Sequence, residues 1–167
     1  MGGTAIRTTR GSYGLGILKS NDGGRTWRKS LDWSLQQRRG VQALAINPLN
    51  SSIIFAATTE GTFKSVDAGN SWQQVHNVVM AMDVDLNPND PTIVFVACGG
   101  LGSPGAGIYR SRDAGISWEK LANGLPPNYN GKTIIDIFRG DPNIIYADVC
   151  NDFSAIGIYR SVDGGNT

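Results

Sequence analysis

The sequence predicts an all-β fold built from repeated four-stranded antiparallel units. Three observations lead to this prediction. An eight-residue motif, S-x-D-x-G-x-[ST]-W, begins at Ser20, Ser65 and Ser111, and a fourth copy that lacks the last residue begins at Ser161. The copies are 45, 46 and 50 residues apart, a period that indicates units stacked or arranged radially. The 22 glycines and the short apolar runs between Pro/Asn/Asp clusters indicate many short strands joined by turns.

The repeated motif itself predicts a hairpin turn. Each copy follows a short apolar run, such as Gly-Ile-Tyr-Arg at 107–110, which reads as a strand. The Asp at the third position can accept hydrogen bonds from N–H groups of the turn, and the glycine two residues later supplies the positive φ of a tight reversal. The Ser or Thr hydroxyl can add a second local bond, and the Trp begins the outgoing strand.

The rest of each period predicts two further strands. Each later motif is preceded by an apolar run, a turn and a second apolar run, at 41–46, 47–50 and 53–57, at 82–86, 87–91 and 93–97, and at 134–138, 140–143 and 144–147. Prolines and asparagines suit the turns between these runs and are disfavoured in central strands. With the strands of one unit called A to D, we divide the chain into a partial unit (1–40, strands B to D, with B at 4–9), two complete units (41–78 and 79–131) and a partial unit (132–167, strands A to C), all in one domain.

The four motifs resemble the Asp-box, or BNR, repeat of β-propellers such as sialidases, xyloglucanase-type glycoside hydrolases, sortilin-type receptors and a photosystem II assembly factor. The resemblance implies a β-propeller of four-stranded antiparallel blades, two complete and two partial. It also implies that each box lies between strands C and D, at the rim opposite the ligand face. The residues that it makes structural rather than catalytic or metal-binding are Asp22, Asp67, Asp113, Asp163, Trp27, Trp72 and Trp118.

The number of units has its own implication. A closed propeller needs about four to eight blades, because closure covers the blade faces and sheet edges. The count therefore favours a piece of a longer polypeptide. The alternative is self-assembly, in which two or more copies of the chain close one ring.

Composition restricts the classes of partner. A net charge of +1 gives no reason to expect binding to nucleic acid or anionic membranes, and no apolar run is long enough to span a membrane. The first residues are not a signal peptide, yet the families above work outside the cytoplasm, so we expect an extracellular, cell-surface or periplasmic protein. One His and two Cys have no zinc-site spacing, and we expect no metal or cofactor. Two free, buried thiols at Cys98 and Cys150 are favoured over a disulfide, with their oxidation state open.

The resemblance also implies that ligands bind where the B–C and D–A loops gather. We predict D–A loops at 32–40, 76–78 and 122–131, and B–C loops at 98–106 and 148–156 that are long, as binding loops often are. The candidate binding residues, which combine aromatic platforms with polar anchors, are Trp33, Arg38, Arg39, Tyr129, Asn151 and Asp152. The alternatives are a solvated Arg38–Arg39 pair, Trp33 as a lid over a blade edge and Tyr129 as a packed loop residue. His76 is expected to be a surface histidine.

Three aspartates, Asp83, Asp85 and Asp136, interrupt apolar A runs. Counting back from strand B places Asp85 and Asp136 at equivalent positions. The resemblance implies that the A strands line the central channel of the propeller. We expect these carboxylates to face water in that channel or to pair with Arg or backbone donors, because carboxylates are rarely buried alone. Two carboxylates across a cleft can also perform glycoside hydrolysis. No catalytic pair can be assigned, however, and the Arg-Ile-Pro signature of sialidases is missing.

We therefore predict a non-enzymatic Asp-box propeller segment that serves as a binding or assembly scaffold. Its expected partners are a protein or a glycan, together with the remainder of the same propeller or other copies of the chain. One alternative is part of a xyloglucanase-like or sialidase-like glycoside hydrolase whose catalytic residues lie mostly outside these 167 residues. Another is a structural subunit that packs through its open blade faces. The sequence leaves the ligand and the total number of blades open.

Overall fold

The computed structural model describes residues 14–36, 38–100, 103–151 and 154–167, which form thirteen strands in four antiparallel sheets. Sheet 1 contains β1 (Gly16–Lys19) and β2 (Arg28–Asp32). Sheet 2 contains β3 (Val41–Ile46), β4 (Ile54–Thr58), β5 (Gly61–Ser65) and β6 (Gln73–His76). Sheet 3 contains β7 (Ala81–Leu86), β8 (Val94–Cys98), β9 (Gly107–Ser111) and β10 (Glu119–Leu121). Sheet 4 contains β11 (Ile134–Ile137), β12 (Ile145–Asn151) and β13 (Ser154–Ser161).

Each sheet is a meander in which strands that follow one another in the chain are hydrogen-bonded neighbours. The prediction of an all-β fold with four-stranded antiparallel units, two complete and two partial, is confirmed. The strand predicted at 4–9 lies outside the described residues. No helix among the described residues is long and apolar enough to cross a membrane.

Hydrophobic cores lie between successive sheets. One core joins sheet 2 to sheet 3 and includes Phe55, Ala57, Val84 and Val96. The other joins sheet 3 to sheet 4 and includes Phe95, Ile135, Ile145 and Val149. Strand β8 is buried along its whole length because its sheet is covered on both faces, whereas β12 alternates between buried and exposed residues because one face of sheet 4 is uncovered.

The prediction of a long B–C loop at 148–156 is wrong. Strands β12 and β13 remain paired as far as Asn151 and Ser154, with one irregularity between Val149 and Cys150. Asp148 looks like a loop residue in the sequence, but it takes an exposed position in a strand whose other face is buried. Sheet 4 therefore extends further toward the rim where the B–C and D–A loops gather than the sequence suggests.

Candidate functional site

The four box turns have the same hydrogen-bonding pattern. In box 2 (65–72), the Asp67 carboxylate accepts the Ser71 N–H at 2.8 Å, the Ser71 hydroxyl at 2.7 Å and the Ser65 hydroxyl at 2.8 Å. The Ser65 oxygen in turn accepts the Gly69 N–H at 2.7 Å. The equivalent bonds occur in box 1 (20–27), box 3 (111–118) and box 4 (161–167). Each box aspartate is thus fully occupied by its own turn.

These hydrogen bonds lower the pKa of the box carboxyls. Acceptance from the side chain and N–H of Thr26 brings the pKa of Asp22 to about 2, and equivalent bonds bring those of Asp113 and Asp163 to about 2. The pKa of Asp67 is lowered by the bonds from Ser71. Hydrogen bonds that favour the charged form explain the direction of all four shifts.

The turn backbone has positive φ at the fourth as well as the fifth box position. Ala68 has φ of 57° and Ala114 of 56°, each followed by a glycine with positive φ. Alanine is uncommon in this region, and the sequence reasoning assigned positive φ to the glycine alone. The left-handed fourth residue turns its carbonyl toward the preceding sheet, where a cation reaches it.

In sheets 1, 2 and 3, a cation at or next to the end of the strand before the box (β1, β5 or β9) donates to the backbone oxygen of the fourth box residue in the next sheet. Lys19 Nζ lies 2.6 Å from the Ala68 oxygen, Lys64 Nζ lies 2.7 Å from the Ala114 oxygen, and Arg110 Nη1 lies 2.5 Å from the Gly164 oxygen. An aromatic ring of strand B covers the following glycine: a Cβ on Gly115 would lie 3.0 Å from Phe55, and a Cβ on Gly165 would lie 3.1 Å from Phe95. We call this aromatic–cation pair and the box turn that it holds the clasp.

The box tryptophans also contact the preceding sheet wherever one is described. Trp72 donates its indole N–H to the Ser30 hydroxyl at 2.9 Å, and Trp118 donates to the Val75 oxygen at 3.0 Å. Trp27 donates instead to Gly24 of its own turn at 3.0 Å and is 61% exposed. The box rim is therefore where sheets are fastened to one another.

Two of the three aspartates on strand A link neighbouring sheets. Asp83 accepts the Ile135 N–H at 3.0 Å, and Asp85 accepts the Ile137 N–H at 3.1 Å. Their other carboxylate oxygens accept the N–H of the residue that follows each of them. Burial raises the pKa of both carboxyls despite these bonds. The expectation of backbone donors is confirmed for this pair, whereas Asp136, at the register position of Asp85, is exposed.

A groove of about 560 Å³ lies on the opposite rim, where sheets 3 and 4 meet. Four parts of the chain contribute to it: strand β10, the segment between β8 and β9, the segment 122–131 and the end of β12. The described residues that line it are Gly105, Ala106, Lys120, Leu121, Ala122, Pro126, Pro127, Asn128, Tyr129, Asn130 and Asn151. Its surface combines side-chain amides, one ammonium group and the flat apolar faces of two prolines. Such a mixture suits a ligand that needs many hydrogen bonds but carries little charge.

Two of the candidate binding residues line this groove, and three lie elsewhere. Asn151 is exposed at the groove, and Tyr129 is buried beneath it with its hydroxyl accepting the Ile108 N–H at 3.0 Å. Trp33 is buried against Phe63 with Arg39 over its ring. Arg39 also lies 3.8 Å from Glu60. Arg38 is exposed, and Asp152 lies outside the described residues.

The expectation that His76 is a surface histidine is wrong. It ends strand β6 and is buried, with its ring 4.6 Å from Tyr109 and 4.9 Å from Trp118. Its Nδ1 is buried with no hydrogen-bond partner among the described residues, and burial lowers the pKa of the imidazole. The aromatic residues come from the next sheet, a contact that no local sequence pattern reveals.

The two cysteines are free thiols, and Cys98 is buried as expected. The expectation of a buried thiol is wrong for Cys150, which is partly exposed near the end of strand β12. Burial raises the pKa of Cys98 to about 12, which leaves an unreactive thiol. No group of three or more His, Cys, Asp or Glu side chains that could hold a metal ion occurs in the part of the chain that the structure describes.

The sequence reasoning missed three polar groove residues, Lys120, Asn128 and Asn130. The two asparagines flank Tyr129 inside the predicted D–A loop, so the loop prediction together with their amides could have identified them. Lys120 sits in strand β10, and only the packing of sheets 3 and 4 brings it to the groove.

No family model matches the chain. Among curated proteins it is similar to the xyloglucanase Xgh74A of Acetivibrio thermocellus, with 25% identity over 84% of this chain. The chain spans about a fifth of the length of that relative, 20%.

Solved structures show the same fold. An ancestral GH74 enzyme superposes with a TM-score of 0.71 and 22% identity, covering 92% of this chain and 21% of the other. YCF48 bound to a D1 peptide superposes with a TM-score of 0.51 and 15% identity, covering 76% of this chain and 37% of the other. The chain is thus part of a β-propeller that resembles GH74 and YCF48 propellers, and its sheets are blades.

Proposed function

We propose that this propeller segment is a non-enzymatic binding scaffold and that the groove between sheets 3 and 4 binds a neutral glycan chain. The observation that carries the proposal is the groove lining. Asn128 and Asn151 each offer an amide that can both donate and accept hydrogen bonds, as sugar hydroxyls require. Pro126 and Pro127 offer apolar surface for the C–H faces of a sugar ring.

The charge of the groove agrees with an uncharged ligand. Lys120 is the one ionisable group other than tyrosine among its described lining residues. The similarity to a xyloglucanase supports a glycan over other neutral ligands, because that relative is named for action on xyloglucan. A polysaccharide partner also agrees with a location outside the cytoplasm, which forms part of the proposal.

Binding of xyloglucan oligosaccharides, measured by isothermal titration calorimetry, tests the proposal. We expect saturable binding, and Asn151→Ala and Asn128→Ala should each weaken it about tenfold, because losing one or two hydrogen bonds costs about 1 kcal/mol each. Asn89→Ala is the matched control, since this exposed asparagine lies in the turn after β7, away from the groove. Absence of binding, or equal loss in the control, contradicts the proposal. An extended peptide that binds in place of the glycan would assign the groove to a protein partner.

A second candidate function is participation in glycoside hydrolysis. The similarity to a xyloglucanase over 84% of the chain favours it, and the raised pKa of Asp83 and Asp85 is a property that catalytic acids share. The two carboxylates already accept backbone N–H groups of sheet 4, which favours a linking role. Release of reducing ends from xyloglucan, abolished by Asp85→Asn in a protein of unchanged stability, would replace the scaffold proposal with this one.

A further inference from the structure

The turns that join the first two strands of sheets 2, 3 and 4 have the same hydrogen bonds. In each turn one side chain, that of Asn50, Asp90 or Asp141, accepts the N–H of the residue two positions later, at 3.0, 3.1 and 3.1 Å respectively. The backbone oxygen of the same residue accepts the N–H three positions later, at 3.0, 2.9 and 2.9 Å. A turn of this kind uses the oxygen of the side chain. Because an aspartate provides that oxygen in two of the three turns, the amide nitrogen of Asn50 has no part in the structure of its turn.

The turn of sheet 2 differs from the other two in the residues that decide whether a glycan can be attached. Residues 50–52 are Asn-Ser-Ser, whereas residues 90–92 are Asp-Pro-Thr and residues 141–143 are Asp-Pro-Asn. The tripeptide Asn-x-Ser/Thr, in which x is any residue except proline, is the acceptor for N-linked glycans. Residues 50–52 are the only such tripeptide in the sequence. The turn of sheet 2 therefore departs from the repeat at two positions, and the acceptor tripeptide requires both departures.

The side chain of Asn50 is accessible in the folded chain. Asn50 and Ser51 are exposed. The Asn50 Oδ1 accepts the Ser52 N–H, whereas the Asn50 Nδ2 donates to none of the residues that the structure describes. A sugar bonded to this nitrogen would leave every described hydrogen bond of the turn intact.

The turn lies on the box rim, away from the groove. The Ala68 N–H of box 2 donates to the Ser52 oxygen at 2.8 Å, which holds the turn against that box. The groove lies on the opposite rim, between sheets 3 and 4. N-linked glycans are bulky groups that occupy protein surfaces, so a glycan on Asn50 would leave the groove uncovered.

We propose that Asn50 is the attachment site of an N-linked glycan when the chain enters a secretory pathway that contains an oligosaccharyltransferase. The donor is an oligosaccharide joined to a lipid through pyrophosphate. The Asn50 Nδ2 forms a bond to the anomeric carbon of the first sugar, and the bond from that carbon to the pyrophosphate oxygen breaks. The lipid pyrophosphate leaves with the electrons of the broken bond, and one proton of Nδ2 is released to solvent, so no oxidant or reductant takes part. The inference rests on the location outside the cytoplasm that forms part of the proposed function, and is independent of what the groove binds.

Intact-mass spectrometry of the full chain tests the inference. The chain is secreted from a eukaryotic host behind a signal peptide and weighed before and after treatment with peptide N-glycosidase. We expect a mass increase of one N-linked oligosaccharide that the enzyme removes, leaving an aspartate at position 50. The same chain made in the cytosol should carry no glycan. A secreted chain without a glycan overturns the inference.

Three variants locate the attachment without disturbing the turn. Asn50→Asp and Ser51→Pro each introduce the residue that the other two turns carry, so both should fold normally and lose the glycan completely. Ser52→Thr keeps the acceptor tripeptide and should keep the glycan. Asn89→Gln is the matched control, because Asn89 is an exposed asparagine in the turn of sheet 3 that lies outside any acceptor tripeptide, and the glycan should remain. A glycan that persists in Asn50→Asp or Ser51→Pro contradicts the assignment to Asn50.

Calorimetry with xyloglucan oligosaccharides separates this inference from the proposed function. Because the glycan and the groove lie on opposite rims, the glycosylated chain and the enzymatically deglycosylated chain should bind with the same dissociation constant. A glycosylated chain that binds no xyloglucan would contradict the glycan-binding proposal alone. A secreted chain that binds xyloglucan but carries no glycan would overturn the attachment site alone.

Discussion

The interface between sheets 2 and 3 and the interface between sheets 3 and 4 both contain the clasp, but the side chains around it differ. Between sheets 2 and 3, the surroundings are aromatic, with His76 packed on Tyr109 and Trp118. Between sheets 3 and 4, the surroundings are polar: Asp83 and Asp85 accept backbone N–H groups, and both Arg110 and Arg112 donate to Asn166. At the positions of Asp83 and Asp85, strand β3 carries Ala43 and Ala45.

This difference shows which part of each interface is repeated and which part varies. The box turn and its clasp recur because a backbone carbonyl and a glycine give every sheet the same target. The flanking positions vary because aromatic packing and carboxylate–backbone hydrogen bonds can each hold two sheets together. The clasp should therefore contribute a similar free energy to both interfaces. The residues that flank it should make the two interfaces respond differently to mutation and pH.

The largest expected effect tests the clasp. Phe55→Ala and Phe95→Ala should each lower the free energy of unfolding by about 3–5 kcal/mol, because each removes a buried ring and leaves a cavity against a box glycine. Chemical denaturation measures both losses, and equal losses would support a common clasp. Phe138→Ala is the control, since Phe138 is half exposed and should cost far less. Losses that differ by more than about 2 kcal/mol would show that the flanks dominate.

The second effect belongs to the polar interface alone. Asp83→Ala should lower the free energy of unfolding by about 1–3 kcal/mol, because the Ile135 N–H loses its acceptor in a buried position. Asp83→Asn keeps an acceptor and removes a buried charge, so it should preserve most of the stability. Asp136→Ala, at an exposed position of sheet 4, serves as the control. If Asn proves as damaging as Ala, the charge rather than the hydrogen bond holds the sheets.

The fold could be predicted from the sequence because its determinants are local. Alternating apolar runs and the Asp and Gly of each box specify strands and turns within a few residues of one another. The clasp could not be predicted, because Lys19, Lys64 and Arg110 contact residues 49, 50 and 54 positions away. In the sequence, a lysine or arginine near the end of a strand is typical of a solvent-exposed side chain.

The candidate site was predictable only in part, for the same reason. The predicted loop at 122–131 contains Tyr129, Asn128 and Asn130, but amides are common in loops, so the type of residue alone does not single out the two asparagines. A tryptophan in a predicted loop is typical of an aromatic platform, but Trp33 is buried by its packing on Phe63 of the next sheet, which the local sequence does not show. His76 was misplaced because its burial depends on two rings of the neighbouring sheet.

The third effect separates the two interfaces by pH. Burial lowers the pKa of His76 below its usual 6.5, so its contribution to stability is complete above pH 6.5 and is lost as the pH falls. Burial raises the pKa of Asp83 and Asp85 above 3.8, so their contribution is complete below pH 3.8 and is lost as the pH rises. Acidification from pH 7 to 5 should therefore weaken the aromatic interface and leave the polar one unchanged or stronger.

Amide hydrogen exchange, corrected for intrinsic rates, measures this difference as falling protection in β6 but not in β11. His76→Leu should remove the pH dependence in β6, since leucine is the residue that β10 carries at the equivalent position, Leu121. An equal loss of protection in β6 and β11 would instead indicate that protonation of the box aspartates destabilises both interfaces. That result is unexpected above pH 4, because the pKa of Asp22, Asp113 and Asp163 is about 2.

The smallest effect concerns the exposed end of the polar interface. Arg112 lies 3.4 Å from Glu119 and 3.0 Å from the Asn166 amide oxygen, with more than half of the Arg112 and Glu119 side chains exposed. Arg112→Ala should change the free energy of unfolding by no more than about 0.5 kcal/mol, because exposed ion pairs are solvated and screened. Arg110→Ala should cost several times more, since the Arg110 side chain is buried and holds the Gly164 oxygen in the clasp. Both arginines contact Glu119 and Asn166. Comparing the losses of unfolding free energy in the two alanine variants therefore separates the contribution of the clasp from that of its polar surroundings. Equal losses in urea denaturation would mean that the polar network, not the clasp, secures sheet 4.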